Sequence, residues 1–73
     1  MTIEEARIVA EGFLQSQEMR GYKAIFADAR IRHRYPNEFA VVFDLFKGDD
    51  LIDGPMVVIV DKTTQKARFF ESP

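Results

Sequence analysis

The sequence predicts an α+β domain: one N-terminal helix packed on a three- or four-stranded antiparallel β-sheet. Three observations carry this. Residues 2–20 space their apolar side chains as a helix with one buried side does. Beyond Gly21 the apolar period changes to two, the spacing of strands. The stretch GPMVVIVDKTTQKARFF, residues 54–70, reads as two strands joined by a short polar turn. Seventy-three residues, 1–73, hold a single small domain.

The helix has a start signal and a stop signal. Thr2 and Glu5 have the spacing of a capping box, in which each side chain takes a free backbone N–H of the other residue. Glu4 and Glu5 also suit the positive end of the helix dipole. Ile3, Ala6, Val9, Ala10, Phe13 and Leu14 share one side, with Ile8 and Met19 opposite. Gly21 is expected to end the helix in a left-handed conformation. Gly12 is a mild flaw, costing about 1 kcal/mol relative to Ala.

Residues 22–26 are ambiguous between strand and irregular chain. Residues 29–35 alternate: Ala29, Ile31, His33 and Tyr35 one way, Arg30, Arg32 and Arg34 the other. Pro36-Asn37 is a turn signal, and residues 38–46 form the next strand. A three-residue loop at Tyr35–Asn37 sets Arg34 opposite Glu38, an attractive pair, with Ile31 opposite Val41 and Ala29 opposite Phe43. Residues 48–54 form a polar loop. Pro55 opens another strand where a missing N–H is tolerable. In the last hairpin, residues 56–61 and 66–70, a four-residue loop sets Asp61 opposite Lys66, Val60 opposite Ala67 and Val58 opposite Phe69. Gln65 then takes a left-handed turn position that favours Gly.

This register gives the sheet two apolar faces. Ile31, Phe39, Val41, Phe43, Leu45, Met56, Val58, Val60 and Phe69 face the helix. Ala40, Val42, Phe46, Val57, Ile59 and Phe70 face away, bordered by Arg30, Arg32, Arg34 and Arg68. One helix covers one face. What covers the other is the question that leads to function.

A domain of this size buries only about 60% of its unfolded surface, and with no Cys no disulfide supports it. Association with another surface is the remaining route to further burial. The net charge of −2 weighs against non-specific nucleic-acid or membrane binding. No apolar run approaches the roughly 20 residues of a membrane span, and the N-terminus lacks the pattern of a signal peptide. These features predict a soluble, cytoplasmic chain with no cofactor.

The leading helix with Glu4-Glu5-Ala6, the strand Phe39–Asp44 and the final hairpin resemble the small immunity-protein domains of bacterial polymorphic toxin systems, of the YrhB-like kind. Pro55, Val60, Asp61, Lys62 and Thr64 match the hairpin motif of that family by type and order. Gln65 stands where the family usually has Gly, and Phe39 where Trp is common. The helix-plus-hairpin pattern also resembles PepSY domains. Both resemblances imply a binding protein that neutralises or regulates a partner, and neither supplies catalytic residues.

Three groups invite a functional reading. His33 is the single histidine; a general base needs an orienting partner and a proton within reach, and no Ser–His–Asp or Cys–His set can be assembled, so a structural place is expected. Asp49, Asp50 and Asp53 lack the alternating ligands and terminal Glu of an EF-hand loop, so a solvated turn is expected rather than a metal site. Arg30, Arg32 and Arg34 form a stripe about 13 Å long at strand rise. It suits a charge-protected edge, an acidic protein or, less well, a nucleic acid. The prediction is a non-enzymatic binding protein, of inhibitor or immunity type, that meets a protein partner through Val42, Phe46, Val57, Ile59, Phe70, Arg30, Arg32 and Arg34. The alternative is a homodimer whose second face is buried against its twin, in a structural or regulatory role. A small nucleic-acid-binding module ranks third.

Overall fold

The computed structural model describes residues 1–52 and 54–70. The elements run α1 (Ile3–Gln15), β1 (Tyr22–Arg32), β2 (Tyr35–Lys47), β3 (Asp50–Leu51), β4 (Met56–Asp61) and β5 (Ala67–Phe69). All strand pairs are antiparallel. The sheet order is β1-β2-β4-β5, and the short β3 pairs with the far end of β2. Helix α1 lies across one face and touches β1, β2, β4 and β5. The fold is the α+β arrangement that the change of period predicts.

The capping box forms as expected. The Thr2 N–H donates to Glu5 Oε1 at 2.8 Å, and the Glu5 N–H donates to Thr2 Oγ1 at 3.1 Å. The bond from the Thr2 backbone, followed by that from its side chain, holds the Glu5 carboxyl below its ordinary pKa.

The helix stops at Gln15, short of the expected residue 20. The Ser16 hydroxyl donates to the Phe13 carbonyl at 2.6 Å, and the Gln17 N–H bonds to Leu14 O in a tightened last turn. Gly21 serves a different turn. Arg20 (φ 51°) and Gly21 (φ 86°) are both left-handed, and the Tyr22 N–H closes on Met19 O at 2.9 Å. Two successive positive φ values mark a tight reversal into β1. Met19 lies beyond the helix and packs against the core, rather than on the outer side of α1.

The core joins Ala6, Ala10 and Leu14 of α1 to Phe39, Val41 and Phe43 of β2 and to Val58 and Val60 of β4. Burying each of the larger side chains stabilises the fold by about 1.5–3 kcal/mol. The small Ala6 and Ala10, both 0% exposed, let the helix sit close to the sheet. Phe13 meets Phe69 edge-on with ring centroids 5.0 Å apart, which closes the core at the β5 side.

Two irregularities shape β1 and β2. Phe26 pairs with Phe43 and Asp28 with Val42, so Ala27 is the extra residue of a β-bulge. The bulge lets Ala24 and Phe26 on one side of it, and Ala29 beyond it, all pack toward the helix. The second irregularity replaces the expected turn. His33-Arg34 is the two-residue loop, Arg32 pairs with Tyr35, and Ile31 pairs with Phe39. Pro36, Asn37 and Glu38 bulge out on β2, where the missing Pro36 N–H disturbs no β1 pairing. The register therefore differs by two from the expected one: Ala29 faces Val41 and Ile31 faces Phe39. A shift of two keeps the paired side chains on their faces, so the assignments of Ala29 to Arg32 and of Phe39 to Phe46 survive the change, whereas Arg34 moves into the turn and Tyr35 to the face of Arg32.

The last hairpin matches the expected register, with Val58 opposite Phe69 and Val60 opposite Ala67. The Asp61 N–H donates to Lys66 O at 2.9 Å, and Gln65 has φ 59°.

Candidate protein-binding face

The face turned away from α1 is built mainly by β2 and β4. Ala40 pairs with Ile59, and Val42 with Val57, at the middle of the sheet. Arg30 on β1 flanks Ala40, and Arg68 on β5 flanks Ile59. The Phe70 N–H bonds to Val57 O, which brings that ring to the β5 side of the same face. A shallow hollow gathers Arg30, Arg32, Ala40, Val42, Val57, Ile59 and Phe70. Six of the eight residues expected to bind a partner are thus contiguous.

The two ends of the face differ. At the turn end, Arg32 donates to Glu38 Oε1, and Arg68 donates to Glu38 Oε2 at 3.2 Å. The Arg32 guanidinium also lies 4.3 Å from the Tyr35 ring centroid and 5.4 Å from that of Phe70. One arginine from the β1 edge therefore spans the sheet toward β5, and its long stem shields apolar surface. Ile59, in the middle of this span, is 1% exposed. It is buried within the protomer, so it supports the face rather than offering surface to a partner. This end is closed by the chain's own side chains.

The other end is open. Phe46 pairs with Leu51 and is flanked by Lys23; Asp44 is flanked by Ile25. Leu51 is 59% exposed and Ile25 45% exposed. With the half-buried Val42, Val57 and Phe46 they form an apolar field flanked by two exposed carboxylates, Asp44 and the Arg30-paired Asp28 beside Val42. No ion pair engages Asp44 among the described residues.

The arginine stripe does not run as expected. Arg34 sits in the β1–β2 turn, where it lines a neighbouring hollow with His33 and Tyr35. Its expected pairing with Glu38 belongs to Arg32 instead. Arg30 donates to Asp28, and that bond first, then one from the Ala29 N–H, holds the Asp28 carboxyl below its ordinary pKa. The three face arginines are thus matched by two carboxylates.

Sequence reasoning missed Tyr35, Ile25, Leu51 and Asp44 on this face. Unbroken alternation through the turn puts Tyr35 on the helix side. Ile25 was hidden by the bulge at Ala27. Leu51 lay in a stretch read as loop, although Gly48, with φ 62°, is a hairpin signal at the first loop position.

His33 is exposed. Asp49 and Asp50 sit at the β2–β3 turn, and Asp53 lies outside the described residues. Among the described residues no group of three or more His, Cys, Asp or Glu side chains is placed to hold a metal ion. No described helix is long and apolar enough to cross a membrane. No family model, curated protein or solved structure matches this chain.

Proposed function

We propose that this chain is a non-enzymatic protein-binding domain, acting in the cytoplasm, whose second sheet face docks onto a protein surface. The observation that carries this is the open apolar field Ile25–Val42–Phe46–Leu51–Val57, contiguous with the Tyr35–Arg32–Phe70 group. Contiguous apolar surface of this kind marks contact sites, and aromatic residues with arginine are the side chains enriched in them. The likeness of Pro55, Val60, Asp61, Lys62 and Thr64 to the immunity-domain hairpin favours an inhibitor or regulator among binding proteins. A nucleic acid is disfavoured because Asp28 and Glu38 already engage Arg30, Arg32 and Arg68, leaving little unmatched charge to release counterions.

The absence of native cysteine makes the test direct. Leu51→Cys places a thiol on the face and Ile8→Cys places one on the outer side of α1; the native side chains are 59% and 67% exposed. Maleimide labelling in an extract of the source cell should be slower at Leu51→Cys than at Ile8→Cys. Equal labelling at every protein concentration, in extract and in pure protein, would overturn the docking reading.

A further inference from the structure

We infer that the hollow beside the β1–β2 turn binds a small phosphate monoester. The inference goes beyond the docking reading and does not depend on it, because the hollow's own chemistry names the ligand.

Cationic groups concentrate here. The chain carries a net charge of −2, yet this hollow of about 330 Å³ is lined by Arg30, Arg32, His33, Arg34 and Tyr35, and among the described residues no carboxylate lines it. The hairpin explains the grouping. β1 brings Arg30 and Arg32 to its end, and the two-residue turn adds His33 and Arg34 directly after them. A concave cationic site on an otherwise acidic chain draws anions to itself. Its volume is that of a small-ligand site, and Ile31 and Ala40 add an apolar wall for the carbon part of an ester.

The carboxylates behind the arginines leave donors to spare. Asp28 takes one terminal nitrogen of Arg30, and Glu38 one terminal nitrogen of Arg32. A guanidinium has five N–H donors, so each keeps others for a ligand. The side chains of the Arg30–Asp28 pair are 72% and 49% exposed, and exposed pairs are weak, so Asp28 competes poorly with a dianion. Glu38 is shared with Arg68. Asp61, opposite Glu38 on β4, accepts the Thr63 and Thr64 N–H groups. No ion pair engages Arg34 among the described residues. The hollow is thus rich in donors and poor in acceptors. Its complement is a compact group with three acceptor oxygens and a charge of about −1.5 to −2, which a phosphate monoester supplies. The planar arginine fork matches such oxygens two at a time. A nucleic acid needs a track of unmatched cations, and this cluster ends at the turn.

The test is proton NMR of the pure chain. His33 is the single histidine, so its ring Cε1 proton is one reporter at the hollow. Phenyl phosphate is titrated at fixed pH and ionic strength, and the His33 signal should move and saturate. Arg34→Gln and Arg30→Gln should each weaken binding at least about tenfold, the effect of a lost hydrogen bond to a charged group. Arg20→Gln removes the same charge at the other end of β1, where the Arg20 side chain is 80% exposed, and should change nothing. Phenyl sulfate, of the same shape with one charge fewer, should bind at least about tenfold more weakly than phenyl phosphate. Urea unfolding checks that each variant folds; all three arginines are exposed. The absence of a saturating shift overturns the inference. So does a folded Arg34→Gln that binds like the parent, or an Arg20→Gln that loses as much as Arg34→Gln, which marks diffuse charge. Phenyl sulfate bound as tightly overturns the monoester, and a phosphoserine peptide bound at least about tenfold more tightly than phenyl phosphate overturns the small ligand in favour of a phosphorylated protein. Labelling of Leu51→Cys reads the docking face separately, so either reading can fail alone.

Discussion

Arg32 on β1 donates to Glu38 on β2 across the bulge that follows Tyr35, and their side chains are only 21% and 19% exposed. The bond ties the hairpin end to the sheet and sets the guanidinium beside the Tyr35 and Phe70 rings. Glu38 also accepts from Arg68, so one carboxylate holds cations from both sides of the sheet.

Removing that carboxylate should therefore be felt. Glu38→Ala leaves a largely buried guanidinium without its anion. The expected loss is about 2 kcal/mol, in the range for hydrogen bonds to charged groups, read as a lower midpoint in urea unfolding. An unchanged midpoint would show that Arg32 swings to solvent without cost.

Ile59 lies on the same face, between Ala40 and Arg68. A residue facing away from α1 should tolerate change if that face were bare. At 1% exposure it does not qualify. Ile59→Ala should cost about 3 kcal/mol, as for other buried large-to-small changes, whereas Val57→Thr, on the same face but half-buried, should cost about 1 kcal/mol. Comparing the two urea midpoints decides it; equal losses would mean that the arginine end gives no shielding.

What the sequence made legible divides along physical lines. The capping box was readable because its two bonds span three residues and depend on nothing else. The last hairpin was readable because Val58, Val60, Ala67 and Phe69 alternate without interruption around a four-residue loop. The β1–β2 hairpin was misread because two bulges break the period. Ala27 inverts the alternation of β1, and Pro36, read as a turn apex, sits instead in a bulge of β2. The helix end was misread because Gly21 answers two demands with the same left-handed backbone, a helix stop or a tight reversal, and only the packing of Met19 chooses between them. On the candidate face, Ala40, Val42, Phe46, Val57 and Ile59 are legible by alternation. The clamp of Arg32 by Glu38 was not, since it depends on a register that electrostatics at the wrong pair, Arg34 and Glu38, had already settled.

Gln65 offers a test of backbone strain. Its φ of 59° is the left-handed region that side chains with a Cβ adopt at a cost. Gln65→Gly should leave stability unchanged or raise it by up to about 1 kcal/mol, the relief of strain being partly offset by the greater freedom of Gly in the unfolded chain. A clear fall in the urea midpoint would show that the Gln65 side chain makes a contact worth more than the strain.

Asp61 should make the last hairpin sensitive to acid. Its Oδ1 accepts the backbone N–H of Thr63 at 2.8 Å and of Thr64 at 2.9 Å. These bonds, that from Thr64 first, hold its carboxyl below the ordinary value of about 3.9. A carboxyl whose folded pKa is depressed binds its proton more readily in the unfolded chain. Its contribution is complete above the unfolded pKa and is lost as pH falls through the folded one, so the window lies below about pH 4. Asp61→Asn keeps an oxygen for the two N–H groups but removes the charge and the titration. The variant should be less stable than the parent at pH 7, and the difference should shrink as the pH is lowered from about 4 toward 2. Urea midpoints of both proteins at neutral pH and at about pH 3 measure this directly. A difference that stays constant with pH would mean that the Thr63 and Thr64 bonds draw nothing from the charge of Asp61, and that the turn is held by its backbone bonds alone.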